Sequence, residues 1–234
     1  MSIFSTNSKD QAKGAVDCHD ELREGAQVCE HDGHLRGRHI EFAVRRPGLA
    51  IIDAQRIFLD PISPARLHGS DHVMANILLL AATFRAMDLP VIFTRHIERP
   101  DRPRGTIPEF FPRPLTPDDP LSEMMPGLSG HMKDGQPLEK CRHDAFSDGI
   151  PDVLAGVDVL FVAGVQTNLC ILSTALGLAR HSIVPVVVSD ACAARERADH
   201  CAAIRCLGSG HAFIRTTDET LRFLISGFKG SDEA

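Results

Sequence analysis

Short unbroken apolar runs alternate along this chain with stretches whose apolar residues recur three and four positions apart. Gly48-Leu-Ala-Ile-Ile-Asp53-Ala, Pro90-Val-Ile-Phe-Thr-Arg95, Asp158-Val-Leu-Phe-Val-Ala163 and Val184-Pro-Val-Val-Val-Ser-Asp190 are of the first kind. Continuous runs without polar alternation are the mark of strands buried on both faces. Pro137-Leu-Glu-Lys140 and Ala212-Phe-Ile-Arg215 read as shorter strands. Pro90 and Pro185 lie near strand starts, where a missing N–H is tolerated. Helical spacing predicts a helix through Val73, Ile77, Leu80, Ala81, Phe84 and Met87, with Ser70 or Asp71 as its cap. A second stripe runs through Leu169, Leu172, Leu176 and Ala179, and further helices are expected over 195–208 and from Asp218 to Phe228. Strand–helix alternation of this length predicts an α/β fold with a mostly parallel sheet and helices on both faces.

Two segments break the rhythm. Residues 1–35 are polar and aperiodic, and read as an arm ahead of one domain over 36–234. Cys18-His19 and Cys29-Glu-His31-Asp-Gly-His34 in that arm carry zinc-ligand side chains, but their spacing fits no standard finger and a solvated tail is favoured. Residues 97–136 are proline-rich and aperiodic. A loop that long in a compact domain is usually functional or mobile.

Composition narrows the picture. The 234 residues suffice for one large core, which Leu, Ile, Val and Phe must build because Trp and Tyr are absent. The net charge of −6 excludes the basic excess of a nucleic-acid binder. No apolar stretch reaches the roughly 20 residues of a membrane helix, and the first residues lack a secretory pattern. Seven irregularly spaced cysteines fit reduced thiols in a cytoplasmic protein better than a disulfide framework.

Cys170 carries the most chemistry. It follows the strand ending near Ala163, in a turn through Gly164 and Thr167-Asn168 that opens a helix. Helix-terminal N–H groups favour thiolate, the nucleophilic form. Taken alone, a cysteine there is more simply a small buried hydrophobe. Asp53 and Lys140 end two other strands, and ligands of open parallel sheets bind beyond such ends. Each has an ordinary alternative: Asp53 as a cap, Lys140 as a solvated charge. Asp190, at the end of another strand, reads as a cap or a supporting group.

These residues sit in segments that resemble the isochorismatase-like cysteine hydrolases. Leu49-Ala-Ile-Ile-Asp53-Ala-Gln55-Arg-Ile-Phe58 is similar to the family's Ile-Asp-x-Gln-x-x-Phe opening. Lys140-Cys-Arg-His-Asp-Ala-Phe146 resembles its second motif, Ala163-Gly-Val-Gln-Thr-Asn-Leu-Cys170 its nucleophile turn, and Ser189-Asp190-Ala-Cys192-Ala the strand end after it. The resemblance implies a three-layer α/β/α sandwich around a six-stranded parallel sheet. It implies Cys170 as nucleophile, Asp53 as proton carrier, and Lys140 holding Asp53 and favouring the thiolate. It also implies a cis peptide between Val165 and Gln166, and an oxyanion hole from the N–H groups of Gln166 and Cys170. Gln55 and Phe58 of the opening motif join the expected substrate site.

The nicotinamidase-like branch binds a metal through Asp-x-His, whereas this chain reads Thr94-Arg95-His96-Ile97-Glu98, so neither metal nor cofactor is expected. The retained cysteine favours cleavage of an amide or carbamoyl C–N bond through a thioester. Vinyl ether hydrolysis of the isochorismate type stays open as an alternative. Arg95, Arg99, Arg102, Arg104 and Arg113 near the expected mouth suit a substrate carboxylate, or else pair with Glu98, Asp101 and Glu109 as surface charges. Phe110-Phe111 and Met124-Met125 suit either a lid or a subunit contact. His96 joins the expected substrate site as a candidate proton carrier, with a supporting or structural role favoured because Asp53 already supplies the base. Cys141 should point away from the site if Lys140 points in, and Cys192, Cys201 and Cys206 read as packing residues. The expected partners are a small-molecule substrate and, by the resemblance, copies of the chain in a dimer or tetramer. Two rivals remain: a non-catalytic small-molecule binding protein on the same fold, and a metal-dependent hydrolase using the Cys/His arm.

Overall fold

Six strands pair in parallel in the order β3-β2-β1-β4-β5-β6. They are β1 (Pro47–Ile52), β2 (Val91–His96), β3 (Leu138–Lys140), β4 (Val159–Val165), β5 (Val184–Ala193) and β6 (Phe213–Arg215). The computed structural model of the chain describes residues 44–101, 105–111, 113–132 and 137–227. The Cys/His arm, Arg102, Arg104 and Phe228 lie outside the described residues.

Alternation along each strand builds two cores. Leu49, Ile51, Phe93, Phe161 and Val188 pack on one face against Val73, Ile77, Leu80 and Phe84 of helix α1 (Ser70–Ala86), together with Leu224. On the other face Ala50, Ile52, Val162 and Val187 meet Ala175 and Leu178 of α2 (Leu172–Leu178), and Ile204 and Leu207 of α3 (Arg197–Gly208). Helix α4 (Thr217–Ile225) carries Leu224. Every residue of β1 and β4 is buried, which is why their sequences show no polar alternation. The result is a three-layer α/β/α sandwich around an all-parallel six-stranded sheet, as expected.

Helix starts differ in how they are capped. Gly69, with φ 75°, occupies the cap position of α1, which neither Ser70 nor Asp71 takes. The Ser70 hydroxyl instead donates to Leu67 O at 2.5 Å, and Asp71 pairs with Arg66. Helix α4 opens with a reciprocal Thr216–Glu219 capping box. Asp190 accepts from the Thr217 amide at 2.7 Å and its hydroxyl at 2.8 Å, tying β5 to α4.

The chain leaves β1 for β2 and β3, then crosses back to place β4 on the other side of β1. That reversal opens a crevice at the carboxyl ends of β1 and β4, where open α/β sheets bind ligands. Gly164 permits the close approach there: its φ is 119°, and a Cβ would lie 2.0 Å from Ile52 O. Among the described residues, no helix is long and apolar enough to cross a membrane.

Candidate active site

Three strand ends deliver three side chains to one point. Asp53 follows β1 with φ 49°, in the left-handed region. Its amide donates to Thr94 O and Thr94 Oγ1, both at 3.2 Å, and the Thr94 hydroxyl donates to Asp53 Oδ1 at 2.8 Å. This exchange fixes the carboxylate against β2. Lys140, the last residue of β3, places Nζ 2.6 Å from Asp53 Oδ2, 3.3 Å from Cys170 Sγ and 3.0 Å from Arg142 O. An ammonium has three protons, and Lys140 has one acceptor for each.

Cys170 lies in a single π-helical turn, Thr167–Ile171, entered from β4 through a cis Val165–Gln166 peptide. Such turns occur often at functional sites. The Gln166 carbonyl accepts from the amides of Leu169 and Ile171, both at 3.1 Å, which closes the turn on itself. Thr167 and His200 of α3 are fully buried and bonded to each other at 2.8 Å. Asp53, Lys140 and Cys170 are 1%, 5% and 8% exposed.

An isochorismatase domain model matches residues 47–219, most of the chain. The chain belongs to the isochorismatase family. It is 26% identical over 177 residues to isochorismatase family protein 2B of Dictyostelium discoideum, covering 76% of each chain. In fold it matches a cysteine hydrolase of Pseudomonas syringae pv. phaseolicola with a TM-score of 0.70 and 23% identity, covering 80% of this chain and 99% of that one. It also matches the nicotinamidase of Bacillus subtilis at TM-score 0.63 and 20% identity, covering 73% and 99% respectively. Membership places the chain among the isochorismatase-family hydrolases.

In this family member Asp53 and Cys170 open onto a cavity of about 350 Å³, with Lys140 outside its lining. Asp53, Cys170, Gln166 and His143 lie along it with the apolar side chains of Phe58, Leu67, Ile107, Phe111, Leu115 and Leu169. His96 and Glu98 line it as a pair, with Nε2 3.3 Å from Oε1. Arg113, Asp119 and Arg195 complete the lining. Among the described residues, no group of three or more His, Cys, Asp or Glu side chains is arranged to hold a metal ion.

Electrostatics corrects one expectation. Burial is the largest influence on Cys170 and pushes its thiol up to about 12; the attraction of Lys140 opposes this, and the Asp53 carboxylate reinforces it. The resting site is therefore a neutral thiol beside an ion pair rather than a standing thiolate. Burial alone would lower the Lys140 pKa, but the Asp53 charge, helped by Cys170, outweighs it and holds the lysine protonated. Burial followed by repulsion from Lys140 lowers the pKa of His96, against the opposing pull of Asp53 and Glu98.

Several expected substrate contacts lie elsewhere. Gln55 is fully buried, and its amide is consumed by backbone: it accepts from His96 N at 2.8 Å and donates to His96 O at 3.1 Å and Ser122 O at 2.7 Å. It clamps the loop carrying Ser122 onto β2 and does not line the cavity. Arg95 does not line it either, and pairs with Glu139 at 2.6 Å, as Arg99 does at 2.9 Å. Arg95 and His96 are strand neighbours, so only one can face the cavity. Phe110 is 75% exposed and outside the lining, whereas its neighbour Phe111, Phe58 and His96 are within it. Cys141 and Cys192 are buried free thiols; Cys206 is exposed rather than packed, and Cys201 is disulfide-bonded rather than a reduced packing thiol.

Arg195 and His143 are among the lining residues to which the sequence pattern assigns no role. Arg195 lies just past β5, where the strand-end rule that found Asp53 applies equally. His143 lies in an aperiodic turn after Lys140, with Nδ1 3.7 Å from Cys170 Sγ. Nothing in the local pattern singled it out.

Proposed function

We propose that this chain hydrolyses a C–N bond of a small amide or carbamoyl compound through a thioester on Cys170. The observation carrying the reading is Lys140, whose ammonium touches both Asp53 and Cys170 inside a buried pocket. That contact lets a proton move between sulfur and carboxylate while total charge stays balanced.

The steps follow from the contacts. Asp53 takes the thiol proton as sulfur attacks the carbonyl carbon. The N–H groups of Gln166 and Cys170 receive the tetrahedral oxyanion, each donor worth about 3 kcal/mol in the transition state. Collapse breaks the C–N bond as Asp53 protonates the departing nitrogen, leaving a thioester. Water enters, gives a proton to Asp53, and its oxygen attacks the thioester. Release of the acid returns the proton to sulfur. The net change is amide plus water to acid plus amine.

The cavity supports a small substrate with an acidic group. Arg195 lines it and has no ion-pair partner among the described residues, while Arg113 meets Asp119 only at 3.5 Å. Guanidinium groups suit carboxylates, and an N-carbamoyl amino acid combines that group with a scissile C–N bond. The test is ammonia release from N-carbamoyl amino acids and simple amides, and product mass for isochorismate, which carries no nitrogen, in native protein and in Cys170→Ala. Ammonia from a carbamoyl or amide substrate, a covalent mass increase on the Cys170 peptide, and loss of turnover in Cys170→Ala are expected. Full activity in Cys170→Ala would end the covalent reading, and turnover of isochorismate alone would end the amide reading.

A further inference from the structure

The steps above leave one group at the sulfur unused. His143 lines the cavity, and its Nδ1 is 3.7 Å from Cys170 Sγ, within reach for a hydrogen bond to sulfur. Its ring meets that of Phe111 edge-on, with centroids 6.3 Å apart and planes at 81°. Phe111 also lines the cavity, so the imidazole lies between an aromatic wall and the nucleophile.

The proton inventory gives this contact a use. Lys140 spends its three donors on Asp53, Cys170 and Arg142 O, so it can offer sulfur only one. A buried thiolate held by one donor is poorly solvated, and each hydrogen bond to a charged group counts for more than a neutral one. We propose that His143 is a further catalytic residue, its Nδ1–H tautomer donating a second hydrogen bond to the Cys170 sulfur as the thiol proton moves to Asp53. No bond to His143 forms or breaks; it stabilises charge developing on sulfur. The proposal rests on Cys170 being the nucleophile, though not on the identity of the substrate.

The surroundings keep the ring neutral, as a donor with one proton requires. Burial is the main cause of its lowered pKa, followed by repulsion from Lys140 and His96, against the pull of Asp53. The charged and titratable groups around it are thus Lys140 from β3, His96 from β2, Asp53 after β1, and Cys170 itself.

The test reads sulfur directly. Alkylation of Cys170 by iodoacetamide is followed at neutral pH by mass of the Cys170 peptide, in native protein, His143→Phe and His143→Asn. The phenyl ring keeps the contact with Phe111 but cannot donate; the asparagine amide can. Loss of one charge-assisted donor predicts a roughly tenfold slower rate in His143→Phe, with most of the rate restored in His143→Asn. Equal rates in all three proteins, or equal losses in both variants, would overturn the proposal. Imidazole ¹⁵N shifts in the native protein supply a second reading that needs no variant: a protonated Nδ1 is expected, and a bare Nδ1 contradicts it. These readouts use no substrate, so a failed amide screen with a responsive sulfur would sink the substrate reading and leave His143 standing.

Discussion

Two ion-pair clusters meet on adjacent residues of β3 and behave differently. Glu139 gathers Arg95 at 2.6 Å and Arg99 at 2.9 Å on one side of the strand. Lys140, one residue on, points the other way and holds Asp53 at 2.6 Å. The strand's two-residue period separates them. Solvent does the rest: the Arg99 and Glu139 side chains are 40% and 22% exposed, against 4% and 1% for Lys140 and Asp53. Hydrogen bonding from Arg99 holds the Glu139 carboxyl below its usual range, but water screens the pair. The buried pair has no such screen, and its charges govern a sulfur 3.3 Å away. Similar side chains thus make a clip on one side of β3 and a proton-handling site on the other.

The largest effect should come from breaking the buried pair. Lys140→Ala leaves the Asp53 carboxylate without its cation, and should cost about 3–5 kcal/mol of stability together with all measurable turnover. Denaturant unfolding and the ammonia assay measure both. A Lys140→Ala protein as stable as native would contradict the burial argument.

Next in size is an alkaline effect from Cys170. Its folded thiol is raised from 9.0 to about 12, so the folded state holds the proton more tightly than the unfolded chain. Stability from this source is intact below about pH 9 and is lost as pH rises toward about 12. Cys170→Ala should therefore lose stability less steeply over that window than native protein. Parallel slopes by denaturant unfolding would refute the assignment.

The smallest effect should come from the half-buried Glu139 cluster. Glu139→Gln removes the charge that Arg95 and Arg99 share, and turnover should stay within about twofold of native because surface pairs contribute little. A large loss would mean that Arg95 and Arg99 serve the substrate after all.

The comparison also marks what the sequence could reveal. The six strands and the ends bearing Asp53, Lys140 and Cys170 were legible because apolar runs and terminal polar residues are local signals. Arg95 was misplaced because a count of arginines near a mouth ignores which side of a strand each one faces; the alternation that turned Cys141 away from Lys140 applies to Arg95 and His96 too. Gln55 could not be assigned from its position, since only the fold shows its amide committed to His96 and Ser122. His143 sits in a turn whose course depends on packing against the Cys170 loop, which no periodicity encodes. The resting state of the thiol was equally hidden: a strand-to-helix turn suggests thiolate, and burial decides otherwise.

The pH dependence of Cys170 alkylation tests the internal proton transfer most directly. If sulfur hands its proton to Asp53 within the pocket, the fraction of thiolate is set by the pair and not by bulk pH. The rate in native protein should then stay nearly flat from about pH 6.5 to about pH 9, while in Asp53→Asn it climbs about tenfold per pH unit. A native rate that climbs as steeply as the Asp53→Asn rate would contradict the account.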